Sequence, residues 1–212
     1  MPPNLFSNIR KVLAAFSEIM KKMTLTSRLL VGAAALLMIA VYFVPFWEIL
    51  MWAPQYPEGL SMQIWVNKLS GDVEIINGLN HYIGMKHIKV EMFPEFKIIP
   101  QLLGGLIGLG VLVAVVGRML ELWIFCAAIV AAGAAGLYDF YLWGYDYGHN
   151  LDPNAAIKVP GMSYQPPLIG SKTLLNFLAY SGPDTGGWIM LTSGLLSIGV
   201  LVYELRKNRA KT

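Results

Sequence analysis

Residues 98–116 read IIPQLLGGLIGLGVLVAVV, an apolar run without a charged side chain. About 20 apolar residues are enough for a helix to cross a bilayer. Three other stretches, 29–47, 120–138 and 187–203, have the same character, and Glu121 is the one charged residue among them. The sequence therefore predicts four transmembrane helices.

The overall composition agrees with a membrane protein. Of the 212 residues, 56% are hydrophobic and 14% are charged, whereas soluble domains have about 45–50% and about 25%. These proportions exclude a soluble globule, a disordered polar chain and a protein that binds nucleic acid through a basic surface. The single cysteine, Cys126, can form no internal disulfide bond, so a small disulfide-stabilised module is excluded as well.

The distribution of charge predicts the orientation in the membrane. The two termini and the turn at 117–121 carry ten Lys and Arg residues against three acids, a net charge of +7. The long segments 48–97 and 139–186 carry six Lys residues against ten acids, a net charge of −4. Because Lys and Arg are enriched on the cytoplasmic side of a membrane, we expect cytoplasmic termini and two outer loops.

Together these features predict an all-α membrane protein, a four-helix transmembrane bundle with an amphipathic N-terminal helix and an extracytoplasmic cap made of two loops. The predicted segments are a cytoplasmic amphipathic helix (1–28), the first span (29–47), the first outer loop (48–97), the second span (98–116), the third span (120–138), the second outer loop (139–186), the fourth span (187–203) and a cytoplasmic basic tail (204–212).

We expect the cap to contain a small hairpin and short helices. Residues 60–66 (LSMQIWV) have an apolar side chain at every second position, as in a half-buried strand, and Ser70-Gly71-Asp72 supplies a turn for a hairpin. A helix is possible within 75–90. The aromatic and proline-rich stretch 138–167 is expected to be extended, and Ser171 to begin a short helix through Tyr180. Both loops are apolar enough that we expect them to pack together.

The chain lacks the strong sequence signatures of enzymes. It contains no Walker loop, no dinucleotide-binding glycine motif, no GxSxG elbow and no HExxH pair. We therefore expect a protein that is not an enzyme. Charged residues are also missing from the middle of every predicted span, which makes a transporter or channel the least favoured class.

Imidazole and thioether groups occur together in the predicted outer loops. Imidazole is a suitable copper ligand, and thioether sulfur in particular selects Cu(I). The candidate copper ligands are His81, Met85, His87, His149 and Met162. His81 and Met85 are four residues apart and can share a helical face, but His87 can join them only if the helix ends near Gly84. Zinc or haem ligation, or a structural role without any metal, are the alternatives.

Four stretches resemble motifs of an uncharacterised bacterial family of polytopic membrane proteins: 53–60 (APQYPEGL), 79–85 (LNHYIGM), 143–149 (WGYDYGH) and 166–170 (PPLIG). The similarity extends over nearly the whole chain after Thr24. The family is associated with gene neighbourhoods for nitrous oxide reductase maturation and related copper respiration. The resemblance implies a multi-pass protein of the bacterial cytoplasmic membrane with a role near an exported copper enzyme, and it assigns no role to individual residues.

Two functions therefore remain. The first is a membrane-anchored accessory protein that holds or passes copper to an exported respiratory enzyme of the nitrous oxide reductase type. The second is a structural or docking subunit of a membrane complex, without metal, that binds an exported or membrane protein through its Tyr- and Trp-rich outer surface. In both cases the expected partners are the lipid bilayer and another protein, and nucleic acid is not expected.

Overall fold

The computed structural model describes residues 21–210. Most of the amphipathic helix predicted for 1–28 lies outside these residues. The elements, in chain order, are α1 (Leu25–Leu37), a 3-10 helix (Met38–Phe43), β1 (Trp47–Ala53), β2 (Tyr56–Ile64), β3 (Leu69–Gly71), α2 (Val73–Ile83), a short 3-10 helix (Val90–Met92), α3 (Glu95–Val116), α4 (Met119–His149), β4 (Gly170–Leu174), β5 (Phe177–Pro183) and α5 (Thr185–Arg209).

Four helical segments are long and apolar enough to cross a membrane, which is consistent with a multi-pass membrane protein. In each of them no more than a third of the most apolar stretch is buried within the protein. Apolar side chains that are exposed along a whole helix are suited to contact with lipid. The four segments are Leu25–Phe43, Glu95–Val116, Met119–His149 and Thr185–Arg209.

The expectation of an all-α fold is wrong. The chain also forms a five-stranded sheet in the order β3-β2-β1-β5-β4, and every neighbouring pair in it is antiparallel. The fold is therefore mixed, with helix and sheet in one chain. Strand β1 comes from the first inter-span segment and β5 from the second, so the two predicted loops do associate, through a shared sheet.

Three local expectations for the cap also differ from the structure. The short helix expected from Ser171 to Tyr180 is instead the β4–β5 hairpin. The stretch 139–149, expected to be extended, continues helix α4, which with 31 residues is about 46 Å long at 1.5 Å per residue. The hairpin consists of β2 and β3, and its turn is at residues 65–68, not at the expected Ser70-Gly71-Asp72. These three residues instead end β3 and lead into α2, which begins at Val73.

The described chain divides into two compact units. The first contains residues 21–39, 103–131 and 190–210, and the second contains residues 40–102 and 132–189. The sheet and α2 belong to the second unit.

In the first unit, a buried carboxylate holds the start of α1. Glu204 is 1% exposed, and its Oε1 accepts hydrogen bonds from the backbone N–H (2.9 Å) and the hydroxyl (2.7 Å) of Thr24. Thr24 also caps α1, because its Oγ1 accepts from the N–H of Ser27. Helix α5 extends beyond the predicted span to Arg209, which is why Glu204 is helical and buried.

A basic side chain caps the end of α3 in the same unit. The guanidinium of Arg28 donates from Nε to the carbonyl of Ala114 (2.8 Å) and from Nη2 to that of Val115 (2.6 Å). The last carbonyl groups of a helix have no partner within the helix, so Arg28 satisfies two of them. The backbone of Met23 and Gly117 is joined as well, by an N–H···O bond of 2.7 Å.

One glycine sets the distance between helices in the first unit. A Cβ atom at Gly110 would lie 2.6 Å from the Cβ of Ala35 and 2.8 Å from the ring of Phe125. At Gly108, two positions earlier on the same helix, an added Cβ would meet nothing within 4 Å. Close helix packing therefore depends on Gly110 and not on Gly108.

We expect Gly110→Ala to lower the free energy of unfolding by about 1–3 kcal/mol, because the added methyl group overpacks a tight contact. Gly108→Ala is the matched control and should be neutral or slightly stabilising, since alanine favours a helix over glycine. Thermal unfolding of both purified variants measures the difference. Equal midpoints for the two variants would contradict the packing described here.

Candidate functional site

The second unit has an apolar core between one face of the sheet and the helices. Trp47, Ile49, Leu60, Met62, Ile76, Ile88 and Tyr147 form its buried centre. The C-terminal part of α4 packs against it through aromatic side chains spaced three or four residues apart, Phe140, Trp143 and Tyr147. Their rings contact other aromatic rings, with centroids 5.6 Å apart for Phe140 and Trp47 and 5.7 Å apart for Trp143 and Phe93. This packing accounts for the helical extension of α4.

A helix break near Gly84, the condition for His87 to join His81 and Met85, is present. Helix α2 ends at Ile83, and Gly84 has a φ of +81°, a left-handed conformation that glycine adopts without strain. Buried Asn77 then holds the following segment, because its side-chain amide accepts from the N–H of Ile88 (2.7 Å) and donates to the carbonyl of Ile88 (3.0 Å).

The second inter-span segment crosses α2 at this break. The N–H of Asp152 donates to the carbonyl of Gly84 (2.8 Å), and the N–H of Ile157 donates to that of Tyr82 (2.8 Å). A Cβ atom at Gly84 would lie 2.9 Å from the nitrogen of Asp152. Glycine at this position is therefore required both by the left-handed turn and by the close approach of the second segment.

The predicted copper ligands of the first segment do not share one environment. His81 and His87 are exposed, and the ring of His81 contacts Tyr82 edge to face. The backbone carbonyl of His87 accepts from the hydroxyl of Tyr147 (3.1 Å). Met85 is half-buried and lines a cavity in the core.

The two candidates from the second segment have separate surroundings. The exposed ring of His149 stacks on Tyr145 with ring centroids 4.0 Å apart, and its Nδ1 lies 3.0 Å from the carbonyl oxygen of Tyr145. Met162 is half-buried. Within residues 21–210, no group of three or more His, Cys, Asp or Glu side chains is arranged to hold a metal ion. The copper site stays a prediction.

The cavity that Met85 lines has a volume of about 80 Å³. It is partly open and is lined by side chains from the sheet, from α2 and α4, from the segment before β4 and from the β4–β5 turn. Met51 and Tyr164 are among its lining residues that were not singled out from the sequence. The alternation in β2 places Met62 on the buried face, but Met51 and Tyr164 join it only through strand pairing and loop paths that the sequence does not display.

Two carboxylates, Glu48 near the start of β1 and Asp184 just after β5, interact beside the sheet. Burial and the negative charge of Asp184 both raise the pKa of Glu48 above its usual value. Asp184 precedes α5, and its carboxylate accepts from the backbone N–H and the hydroxyl of Thr185.

A comparison with protein-family models finds no match to the chain, and a comparison with curated protein sequences finds none either.

Proposed function

We propose that this protein is a docking subunit of a membrane complex, whose β-sheet receives an extended segment of an exported protein. The observation that carries the proposal is the open edge of the sheet at β4. A strand at a sheet edge presents unpaired backbone N–H and C=O groups, which can pair with an added strand.

The two edges of the sheet differ in how they are protected. At one edge, β3 has three residues, and the carboxylate of Asp72 accepts from the N–H of Ser61 just beyond it. At the other edge, β4 pairs with β5 along one side, and Ser171, Lys172 and Thr173 are exposed in succession. This longer edge is the better site for strand addition.

We further propose that both termini are cytoplasmic and that the sheet is on the outer side of a bacterial cytoplasmic membrane. The support is the charge distribution, +7 on the side of the termini and −4 in the two segments that form the sheet. A net negative charge around the sheet also favours a partner segment with basic residues, because complementary charge increases the rate of encounter.

Photocrosslinking in native membranes tests the docking proposal. A photoreactive amino acid at Ser171 or Thr173 should give one discrete adduct, and mass spectrometry should place the crosslink in a single extended segment of an exported protein. The matched control is Asn154, which is exposed but lies outside the sheet. Adducts of the same kind from all three positions, or none from β4, would contradict docking at this edge.

A second candidate function, copper handling for an exported enzyme of the nitrous oxide reductase type, is favoured by one observation. Helix α2 ends before Gly84, so His87 does not lie on a continuous helix that would turn it away from His81. The second inter-span segment also passes beside Tyr82 and Gly84. A donor from that segment, His149 or Met162, would have to complete the site.

Metal analysis tests this candidate. If it is correct, the purified protein loaded with Cu(I) under reducing conditions should retain about one copper per chain, and His81→Ala should remove most of it. The control is Met119→Leu, a buried methionine of the first unit, which should change nothing. Absence of retained copper in the unmodified protein would exclude the copper function and leave docking.

A further inference from the structure

The geometry of the core cavity points to a binding site for a small uncharged molecule, largely apolar and of about the size of a single six-membered ring, that carries one hydrogen-bonding oxygen. The proposal does not depend on the docking function, because it concerns the cavity within the second unit, to which β4 contributes only Leu174, and not the unpaired backbone groups on the open side of β4.

The size of the cavity limits the ligand. A buried water needs about 10–15 Å³ of such volume, so 80 Å³ corresponds to roughly six or seven small groups. Drug-sized ligands occupy pockets of about 300–1,000 Å³, which excludes a nucleotide, a peptide or a complete lipid. The walls are mostly aliphatic and aromatic side chains, with the thioethers of Met51, Met62 and Met85 among them. Such walls suit an apolar ring and exclude a charged one.

Two wall residues have a buried hydrogen-bonding group without a partner among the described residues, the hydroxyl of Tyr164 and the indole N–H of Trp143. Tyr164 is 3% exposed and lines the cavity, and its hydroxyl has no hydrogen-bonding partner among the described residues. A buried hydroxyl without a partner is unfavourable, so a ligand that pairs with it gains affinity. By contrast, the hydroxyl of Tyr147, also at the cavity, donates to the carbonyl of His87.

The position of Tyr164 is fixed by the backbone. Its N–H donates to the carbonyl of Gly148 on α4 (2.9 Å). A Cβ atom at Gly148 would lie 2.3 Å from the nitrogen of Gln165, so the chain passes directly over this glycine. The backbone that carries Tyr164 is therefore held directly against α4.

A strained residue borders the same cavity. Leu175, in the β4–β5 turn, lines it and has a φ of +56°. Among the described residues it is the one non-glycine residue with positive φ. A bulky side chain rarely adopts this conformation, and strain of this kind often occurs at ligand-binding sites.

Methyl NMR of the full-length protein, labelled with ¹³C at the methionine methyl groups, tests the proposal with phenol and benzene as probes. Phenol should shift the resonances of Met51, Met62 and Met85 saturably. Met38 and Met119, which are buried in the first unit, should not shift, which separates binding from partition into detergent. Benzene should bind at the same methyl groups about three- to tenfold more weakly, because it cannot use the hydroxyl of Tyr164.

Two variants complete the test. Tyr164→Phe should weaken the binding of phenol, and so reduce the preference for phenol over benzene, while the binding of benzene stays unchanged. Ala179→Leu, which fills the cavity from β5, should abolish the binding of both phenol and benzene. If the Ala179→Leu variant does not fold, the result for Tyr164→Phe tests the proposal by itself. Absence of saturable shifts, equal affinity for phenol and benzene in the unmodified protein, or equal shifts at Met38 and Met119 would overturn the proposal.

Discussion

The pairing of β1 with β5 is the interaction on which the second unit depends. Residues 47–52 pair with residues 178–183 in one continuous antiparallel register, from Trp47 opposite Pro183 to Trp52 opposite Leu178. These residues are about 130 positions apart in the sequence, so ordering the chain between them carries a large entropic cost. The pairing also connects the rest of the sheet, since β2 and β3 lie beyond β1 and β4 lies beyond β5.

A buried hydrogen-bond chain fixes this register. The indole N–H of Trp47 donates to the hydroxyl of Ser181 (2.8 Å), which in turn donates to the carbonyl of Leu168 (3.2 Å). Ser181 is fully buried, and a shift of one residue would move it to the opposite face of the sheet. The indole N–H of Trp47 would then lose its partner, at a cost of about 1–3 kcal/mol.

The same pairing brings together the features that bear on function. It leaves β4 as the open edge of the sheet, and it sets Ala179 of β5 beside Met51 and Met62 at the cavity. The aromatic extension of α4 then covers the sheet face. The proposed docking site is thus the open edge of the sheet, and the proposed small-molecule site is the cavity beside its face.

The parts of the fold that local sequence determines were predictable, and the parts that depend on distant pairing were not. Apolar runs indicated four candidate spans, the alternation around Met62 indicated β2, and Gly84 indicated the end of α2. Strand β1 was missed because WEILMWA directly follows an apolar span and contains no alternation. Strands β4 and β5 were taken for a helix because Ser171 resembles a helix cap, whereas β1, their stabilising partner, is far away in the sequence.

The candidate site shows the same division. Met85 was identified from local spacing, and Gly84 does end the helix before it. The sequence placed Met85 with two histidines that are exposed in the structure. It did not predict that Met85 lines a cavity with Met51, because tertiary packing brings these two residues together. The helical extension of α4 did have a local signal, the spacing of Phe140, Trp143 and Tyr147, which the abundance of tyrosine and proline concealed.

The most direct test of the account is a disulfide bond between β1 and β5, formed in cells without added oxidant. In a Cys126→Ala background, Leu50→Cys combined with Tyr180→Cys places two thiols at directly paired positions, within bonding reach. Leu50→Cys with Ala179→Cys is the control, because adjacent residues of a strand point to opposite faces. We predict a disulfide in the first variant and none in the control, since β1 and β5 are paired and the proposed location of the sheet is the oxidising exterior compartment. Reduced thiols in both variants, or equal oxidation of the two, would contradict it.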